Sequence, residues 1–206
     1  MFKRKINLDK KTRKGERTYY NEIATWLKDH VSATLKDLGN YLVDVEVCYP
    51  KDLSEGIERL IRRNKISSAE LQRKIDFTKE LKVDIILLIY DVASERSEIV
   101  ICEVKRKEGL SLKDCSQLLG YCISADCNLG LLINVDGGLT DTFRNILAQN
   151  TTLTHIVQMV NDEKKIRKMA FLTWESKTKR GIFLPNGFIK NLREFSQDIV
   201  NCLKQK

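Results

Sequence analysis

The sequence predicts an α/β domain in which helices flank a mixed central β-sheet. Three observations support this prediction. Residues 129–135 form a continuous apolar run, which is typical of a strand covered on both faces. Residues 41–49 alternate apolar and polar side chains, as a half-buried strand does. Segments with helical periodicity separate these strands, and the order of helix, strand, helical insertion, two strands, helix and strand favours the α/β class.

The elements of the N-terminal half follow from periodicity and from residues that start or stop helices. Apolar side chains recur at three- and four-residue steps after Thr18, and Gly39-Asn40 is a suitable C-terminal stop. The charged stretch 51–80 has the same helical period, and Ser68 can cap a second helix within it. The predicted elements are therefore a helix from Thr18, a strand over 41–49 that Pro50 ends, and a helical insertion over 51–80.

A pair of strands is predicted next, because apolar runs rich in β-branched residues at 82–92 and 98–105 flank a short polar turn. Ser111 opens a helix that reaches about Ala125. Beyond the strand at 129–135, turn residues and periodicity define the remaining elements. These are a turn at 136–138, a helix over 140–149, a hairpin of strands over 152–160 and 165–174, and a helix from Asn186 with Ile189, Leu192, Phe195, Ile199 and Leu203 facing inward.

The composition is that of an ordinary globular protein, with 42% hydrophobic and 31% charged residues, and it excludes a disordered chain. We interpret residues 1–206 as one domain, with 1–17 as a basic arm and 137–206 as peripheral C-terminal elements. The longest apolar run is too short for a membrane helix, and no secretory signal is visible. We therefore expect no membrane partner and an intracellular location, in the cytoplasm or, for a viral chain, the host-cell cytoplasm.

The net charge of +8 is concentrated at the N-terminus, where residues 1–17 carry eight Lys or Arg side chains against Asp9 and Glu16. A basic arm of this kind suits a polyanion such as nucleic acid, although a solvated tail has the same composition. The six cysteines include no CxxC pair, which predicts free buried thiols rather than a zinc site; a disulfide framework normally belongs to a smaller, secreted chain.

Charged residues interrupt two of the apolar strands at neighbouring places. Glu103 and Lys105 are two apart on one strand, so their side chains point the same way, and Asp84 belongs to the preceding predicted strand. Two carboxylates can hold a divalent ion such as Mg²⁺ that activates water at a phosphate. Lys105 would orient that water, or accept its proton if burial lowers the lysine pKa. A structural Glu–Lys pair is the alternative.

The string VDIIL, followed by ICEVK, resembles the motif that names the PD-(D/E)XK nuclease superfamily: an acid on one strand and (D/E)-x-K on the next. The resemblance covers roughly residues 15–136 and implies a restriction-endonuclease-like core. It also implies that Asp84, Glu103 and the carbonyl of Val104 bind Mg²⁺ or Mn²⁺, with Lys105 catalytic. Val83 stands where the motif has proline, at a position that carries no metal-binding group.

Two further matches make the resemblance more specific. Gln117 and Tyr121 lie four apart on the next predicted helix, hence on one face. They resemble the QxxxY element of RecB-type and related exonucleases, where it lies beside the catalytic centre. Glu22 matches an acid that many members carry on the first helix, often near the metal. Archaeal Holliday junction resolvases share this core and a basic segment leading into a Glu-bearing helix, so that subgroup stays open.

The function that the resemblance implies is metal-dependent hydrolysis of DNA phosphodiester bonds, with DNA recombination or repair as its setting. The expected partner is duplex, single-stranded or branched DNA, and a homodimer is compatible because symmetric dimers often hold shape-selective substrates. The alternative is a nucleic-acid-binding protein that keeps the nuclease fold and acts by binding, including the recognition of branched DNA. Endonucleolytic or exonucleolytic action, and DNA or RNA as substrate, are left open by the sequence.

Overall fold

The computed structural model describes residues 15–160 and 163–204. Most of the predicted basic arm and the turn of the predicted hairpin therefore lie outside the described residues. The described chain opens with a 3-10 helix, Glu16–Tyr19, and a second one spans Thr151–Thr154. The α-helices are α1 (Tyr20–Leu35), α2 (Leu53–Asn64), α3 (Ala69–Phe77), α4 (Leu112–Ser124), α5 (Asp141–Gln149) and α6 (Leu192–Lys204).

Nine strands are present among the described residues, and two of them are only two residues long. The strands are β1 (Tyr41–Val47), β2 (Ile85–Asp91), β3 (Arg96–Lys105), β4 (Gly109–Leu110), β5 (Leu129–Val135), β6 (Gly138–Leu139), β7 (His155–Val160), β8 (Glu163–Glu175) and β9 (Arg180–Phe183).

The main sheet has seven strands and runs in the order β1, β2, β3, β5, β8, β7, with β9 also paired to β8. Strands β3, β5 and β8 are parallel neighbours, whereas β1, β2, β7 and β9 join the sheet antiparallel. Strands β4 and β6 form a separate parallel pair. The predicted α/β class and mixed central sheet are therefore confirmed.

The main sheet separates two apolar layers, because consecutive side chains of each strand point to opposite faces. On β2, the alternate residues Ile85, Leu87 and Ile89 pack in the layer that contains α1 and α6. Ile86 and Leu88 face the other layer, which holds the buried sides of α2, α3, α4 and α5. Burial on both faces explains why β2 and β5 are apolar almost without interruption.

The C-terminal part of the chain is less peripheral than predicted. Strand β8 runs parallel to β5 along the whole of that strand, from Leu129 opposite Lys168 to Val135 opposite Trp174. Its apolar residues 169–172 are fully buried because helices cover both faces there. Only the hairpin pairing of β7 with β8 was predicted, and the structure confirms it.

Several element boundaries differ from their predicted positions. Helix α1 ends at Leu35, where the amides of Leu38 and Gly39 bond to the Leu35 carbonyl and form a turn ahead of the predicted stop. Strand β2 begins at Ile85, three residues later than the predicted strand over 82–92, so Asp84 lies just ahead of it. Ile189 lies ahead of α6 and forms an isolated parallel bridge with Ala170, so the final helix is shorter than predicted.

The six cysteines all lie in the described residues, none of them forms a disulfide bond, and five of them are buried. Burial raises the pKa values of Cys48 to about 12 and of Cys115 to about 11, which keeps these thiols protonated and unreactive. Within the described residues, no helix combines the length and apolar character needed to cross a membrane.

Candidate metal centre

Strand pairing brings Asp84 and Glu103 to the same end of the sheet. Ile85 lies opposite Cys102 in the antiparallel ladder of β2 and β3, so the residues next to this pair are Asp84 and Glu103. The Asp84 carboxylate also bridges the two strands, because its Oδ2 accepts a 2.8 Å hydrogen bond from the Val104 amide. The site therefore lies at the carboxyl end of β3, an edge where α/β sheets commonly bind ligands.

Tyr20, at the start of α1, holds Asp84 from one side of the sheet. Its hydroxyl donates a 2.5 Å hydrogen bond to Oδ1 of Asp84. Burial first, and then the hydrogen bond to the Asp84 carboxylate, raise the pKa of Tyr20. The phenol consequently stays protonated and remains a donor. The sequence did not single out Tyr20, because only contact across the fold gives this tyrosine its partner.

Glu103 is nearly buried, at 5% exposure, and its two carboxylate oxygens have different surroundings. Oε1 accepts a 2.6 Å bond from the Lys105 ammonium and a longer, 3.4 Å bond from the side-chain amide of Gln117. Oε2 is buried and has no hydrogen-bond partner among the described residues. A buried carboxylate oxygen without a donor is costly, and a bound cation would satisfy it.

Both carboxyl groups are held with pKa values above their ordinary ones. For Glu103, burial and then the neighbouring charge of Asp84 raise the pKa to about 7, against the opposing effect of Lys105. Burial is also the largest cause of the raised pKa of Asp84, although hydrogen bonds from Tyr20 and Val104 oppose it. Burial therefore disfavours the charged form of both carboxylates in the metal-free protein, and a bound cation would offset this cost.

The donor set fits a hard divalent ion such as Mg²⁺ or Mn²⁺. No group of three or more His, Cys, Asp or Glu side chains arranged to hold a metal is present in the part of the chain that the structure describes. A magnesium site does not require one, because Mg²⁺ commonly uses one or two carboxylates with waters and substrate oxygens. The carbonyl of Val104 is a third donor, since the amide and carbonyl of one strand residue face the same neighbour.

Lys105 is a half-buried ammonium beside this pair. Burial lowers its pKa, but the hydrogen bond and charge of Glu103 outweigh burial and raise it. Lys105 is therefore protonated in this arrangement and acts as a donor and a positive charge. The condition for a proton-accepting Lys105, a pKa lowered by burial, is not met.

The predicted QxxxY pair lies at the site on α4. The Gln117 side-chain amide donates a 2.8 Å bond to the Tyr121 hydroxyl and the longer bond to Glu103 Oε1. Helix α4 belongs to the layer opposite to α1, so Gln117 approaches from the opposite side of the sheet to Tyr20. Helices on both faces thus position the two carboxylates.

Glu22 is not brought into this cluster by the contacts of the described residues. Its carboxylate pairs with Lys179, from the turn between β8 and β9, at 3.0 Å. Glu16, in the 3-10 helix, is the N-terminal acid whose charge adds to the raised pKa values of Glu103, Lys105 and Tyr20. The sequence signal for Glu16 is its place at the start of the string ERTYY, four residues ahead of Tyr20.

Tyr20→Phe is expected to weaken Mn²⁺ binding about 10- to 100-fold, because it removes the only side-chain donor that the described residues give Oδ1 of Asp84. Calorimetric titration of the metal measures this change. Tyr41→Phe is the matched control, because Tyr41 lies at the end of β1 that is farther from Asp84. This variant is expected to bind Mn²⁺ as the wild type does. Equal affinity in the Tyr20→Phe variant would contradict a positioning role for this hydroxyl.

Comparison of the chain with protein-family models, curated proteins and solved structures gave no match. The function is therefore argued from the geometry of the site.

Proposed function

We propose that the protein is a metal-dependent nuclease of the PD-(D/E)XK type, with a restriction-endonuclease-like core, that hydrolyses phosphodiester bonds of DNA. The observation that carries the proposal is the half-buried Asp84 beside the buried Glu103, with Oε2 of Glu103 lacking a partner among the described residues and the ammonium of Lys105 alongside. An arrangement that leaves a buried carboxylate oxygen unsatisfied destabilises the fold, so a ligand-binding role accounts for it better than a structural one.

Each residue of the site has a definite role in this proposal. Asp84, Glu103 and the carbonyl of Val104 would hold Mg²⁺ or Mn²⁺, and Tyr20 and Gln117 fix the directions of the two carboxylates. When bound, the ion supplies a water of lowered pKa and neutralises charge on the phosphate.

Lys105 contributes a fixed positive charge. Its side chain is 20% exposed, against 6% for Glu103, so it lies closer to the open side of the site where a phosphate would arrive. There it would orient the attacking water and stabilise the negative charge that develops on the phosphate oxygens. The raised pKa of Lys105 supports this role over that of a general base.

The proposal is tested with labelled single-stranded DNA, duplex DNA and a four-way junction, each incubated with Mg²⁺, with Mn²⁺ or with chelator. Cleavage of at least one substrate is expected with metal, and none with chelator. Salt-sensitive binding of DNA without cleavage under all of these conditions would contradict the proposal and favour a protein that acts by binding alone.

A further inference from the structure

A cleft of about 810 Å³ lies between α1 and the edge strand β1, and its lining includes Tyr20 of the candidate metal centre. Its volume is in the range of about 300–1,000 Å³ that ligand sites commonly have. Tyr20 is shared between the two, since it lines the cleft and donates to Asp84. A ligand in this cleft could therefore contact the side chain that also bonds to the Asp84 carboxylate.

Tyr49 is the exposed aromatic side chain of this cleft. It follows directly after the residue whose amide bonds to the Asp84 carbonyl, so it lies at the same end of the sheet as the metal centre. Its exposure is 39%, and its ring meets the ring of Tyr20 edge to face at 6.5 Å between centroids. A flat ligand would stack on the part of the Tyr49 ring that its described neighbours, Tyr20 and Arg17, leave exposed.

Arg17 adds a cation to the exposed ring. Its guanidinium carbon lies 3.6 Å from the centroid of Tyr49. Burial raises the pKa of Asp84, and the charge of Arg17 is among the effects that oppose this rise. Arg17 is thus near enough to both groups to contact a phosphate as well as a stacked ring.

The acidic residues of the cleft are already neutralised by the protein. Asp44 accepts bonds from Lys28 and from Arg63, and Glu46 accepts bonds from Arg59 and Arg63. Burial alone would raise the pKa of Asp44, but these bonds, with one from Asn64, lower it to about 2. Three cations thus face two carboxylates in this network, and Arg17 adds a further positive charge, so the cleft does not repel a polyanion.

From these features we propose that the cleft binds an unstacked nucleobase on the ring of Tyr49, with Arg17 contacting the adjoining phosphate, so that the substrate is a single strand or an unpaired segment. The identification of the ligand as a nucleic acid strand rests on the proposed function. A base within a duplex has both faces covered by its neighbours, whereas an unpaired base can stack on an aromatic ring whatever its sequence.

The test measures binding in chelator, so that it does not depend on cleavage. The probes are a single-stranded oligonucleotide with a fluorescent adenine analogue whose emission falls on stacking, its duplex, and an abasic strand with the same phosphates. The wild type is expected to prefer the single strand to both other probes and to quench the analogue. Tyr49→Ala is expected to lose about tenfold in affinity for the single strand and to lose the quenching.

Two variants separate stacking from other effects. Tyr49→Phe keeps the ring and is expected to bind and quench as the wild type does. Phe77→Ala removes an exposed aromatic side chain, at 75% exposure, from the end of α3, and is expected to change neither property.

The inference is overturned if Tyr49→Ala binds the single strand as tightly as the wild type does, if the abasic strand binds equally well, or if the wild type binds no single strand. Single-strand binding that requires Tyr49, without metal-dependent cleavage, would instead support the cleft and contradict the nuclease proposal. If Tyr49→Ala cleaves DNA and binds the single strand as the wild type does, the nuclease proposal is supported and the role of the cleft is contradicted.

Discussion

Lys105→Ala is expected to reduce metal-dependent cleavage of DNA by roughly 10²- to 10⁴-fold, while DNA binding and Mn²⁺ affinity are retained. The ammonium bonds to Glu103 at 2.6 Å, and its removal takes away the positive charge beside the proposed reaction site. Both carboxylates stay in place, so the metal keeps its protein ligands. Initial rates on the best-cleaved substrate, with affinity measured in chelator, separate the two effects.

A matched control is available on α4, where Lys113 is exposed. Lys113→Ala removes the same charge from the same chain, and we expect it to cleave at close to the wild-type rate. If Lys105→Ala also cleaves at the wild-type rate, Lys105 has no catalytic role, and the pair with Glu103 is structural.

Glu103→Gln is expected to abolish metal-dependent cleavage and yet to stabilise the metal-free protein. The substitution keeps the shape of the side chain and removes a buried negative charge that lies beside Asp84. At pH 7 to 8 in chelator, we expect the free energy of unfolding to rise by roughly 1 to 3 kcal/mol. Denaturant unfolding measures the change, and Glu58→Gln, an exposed acid on α2, is the control.

The pH dependence of stability gives the sign of this effect independently. The folded protein holds the pKa of Glu103 above its ordinary value, at about 7. The contribution of Glu103 to the free energy of unfolding is therefore fully present below the ordinary glutamate pKa. This stabilising contribution is lost as the pH rises through about 7. In chelator, the wild type should lose stability between about pH 4.5 and 7, and Glu103→Gln should lack this part of the loss.

Bound metal should then make the wild type more stable than Glu103→Gln, which reverses their order of stability in chelator. A ligand that binds only the folded state adds about 4.1 kcal/mol at a concentration of 1,000 times its dissociation constant, which exceeds the expected advantage of Glu103→Gln. Mn²⁺ should stabilise the wild type and have little effect on Glu103→Gln. Equal stabilisation of both would mean that Glu103 is not a ligand.

The parts of the fold that could be predicted are those determined by local patterns. Strand β5 has the predicted bounds, because seven consecutive buried residues need an apolar sequence. The helices after Ser68, Ser111 and Thr140 begin as expected, since side-chain caps satisfy amides at their first turns. Pairing of two neighbouring strands was also sufficient to place Asp84 near Glu103.

The parts that could not be predicted depend on contacts between distant segments. The pairing of β8 with β5 leaves no local signal beyond a hairpin and an apolar run. Tyr20 and Asp84 are 64 residues apart, so a helical pattern alone could not show that the tyrosine binds the carboxylate. Glu22 was predicted at the site from its position on the first helix, and the ion pair that it forms with Lys179, 157 residues later, could not be predicted from that position. The cleft at Tyr49 likewise exists only because α1 packs beside β1.

The central claim is that Asp84 and Glu103 form a metal centre, and anomalous diffraction from crystals soaked in Mn²⁺ tests it most directly. The structure predicts an anomalous peak within coordination distance of Oε2 of Glu103 and of the Asp84 carboxylate, and its loss in crystals of Glu103→Gln. A wild-type map without a peak between these carboxylates, at Mn²⁺ concentrations that saturate other sites, would contradict the claim.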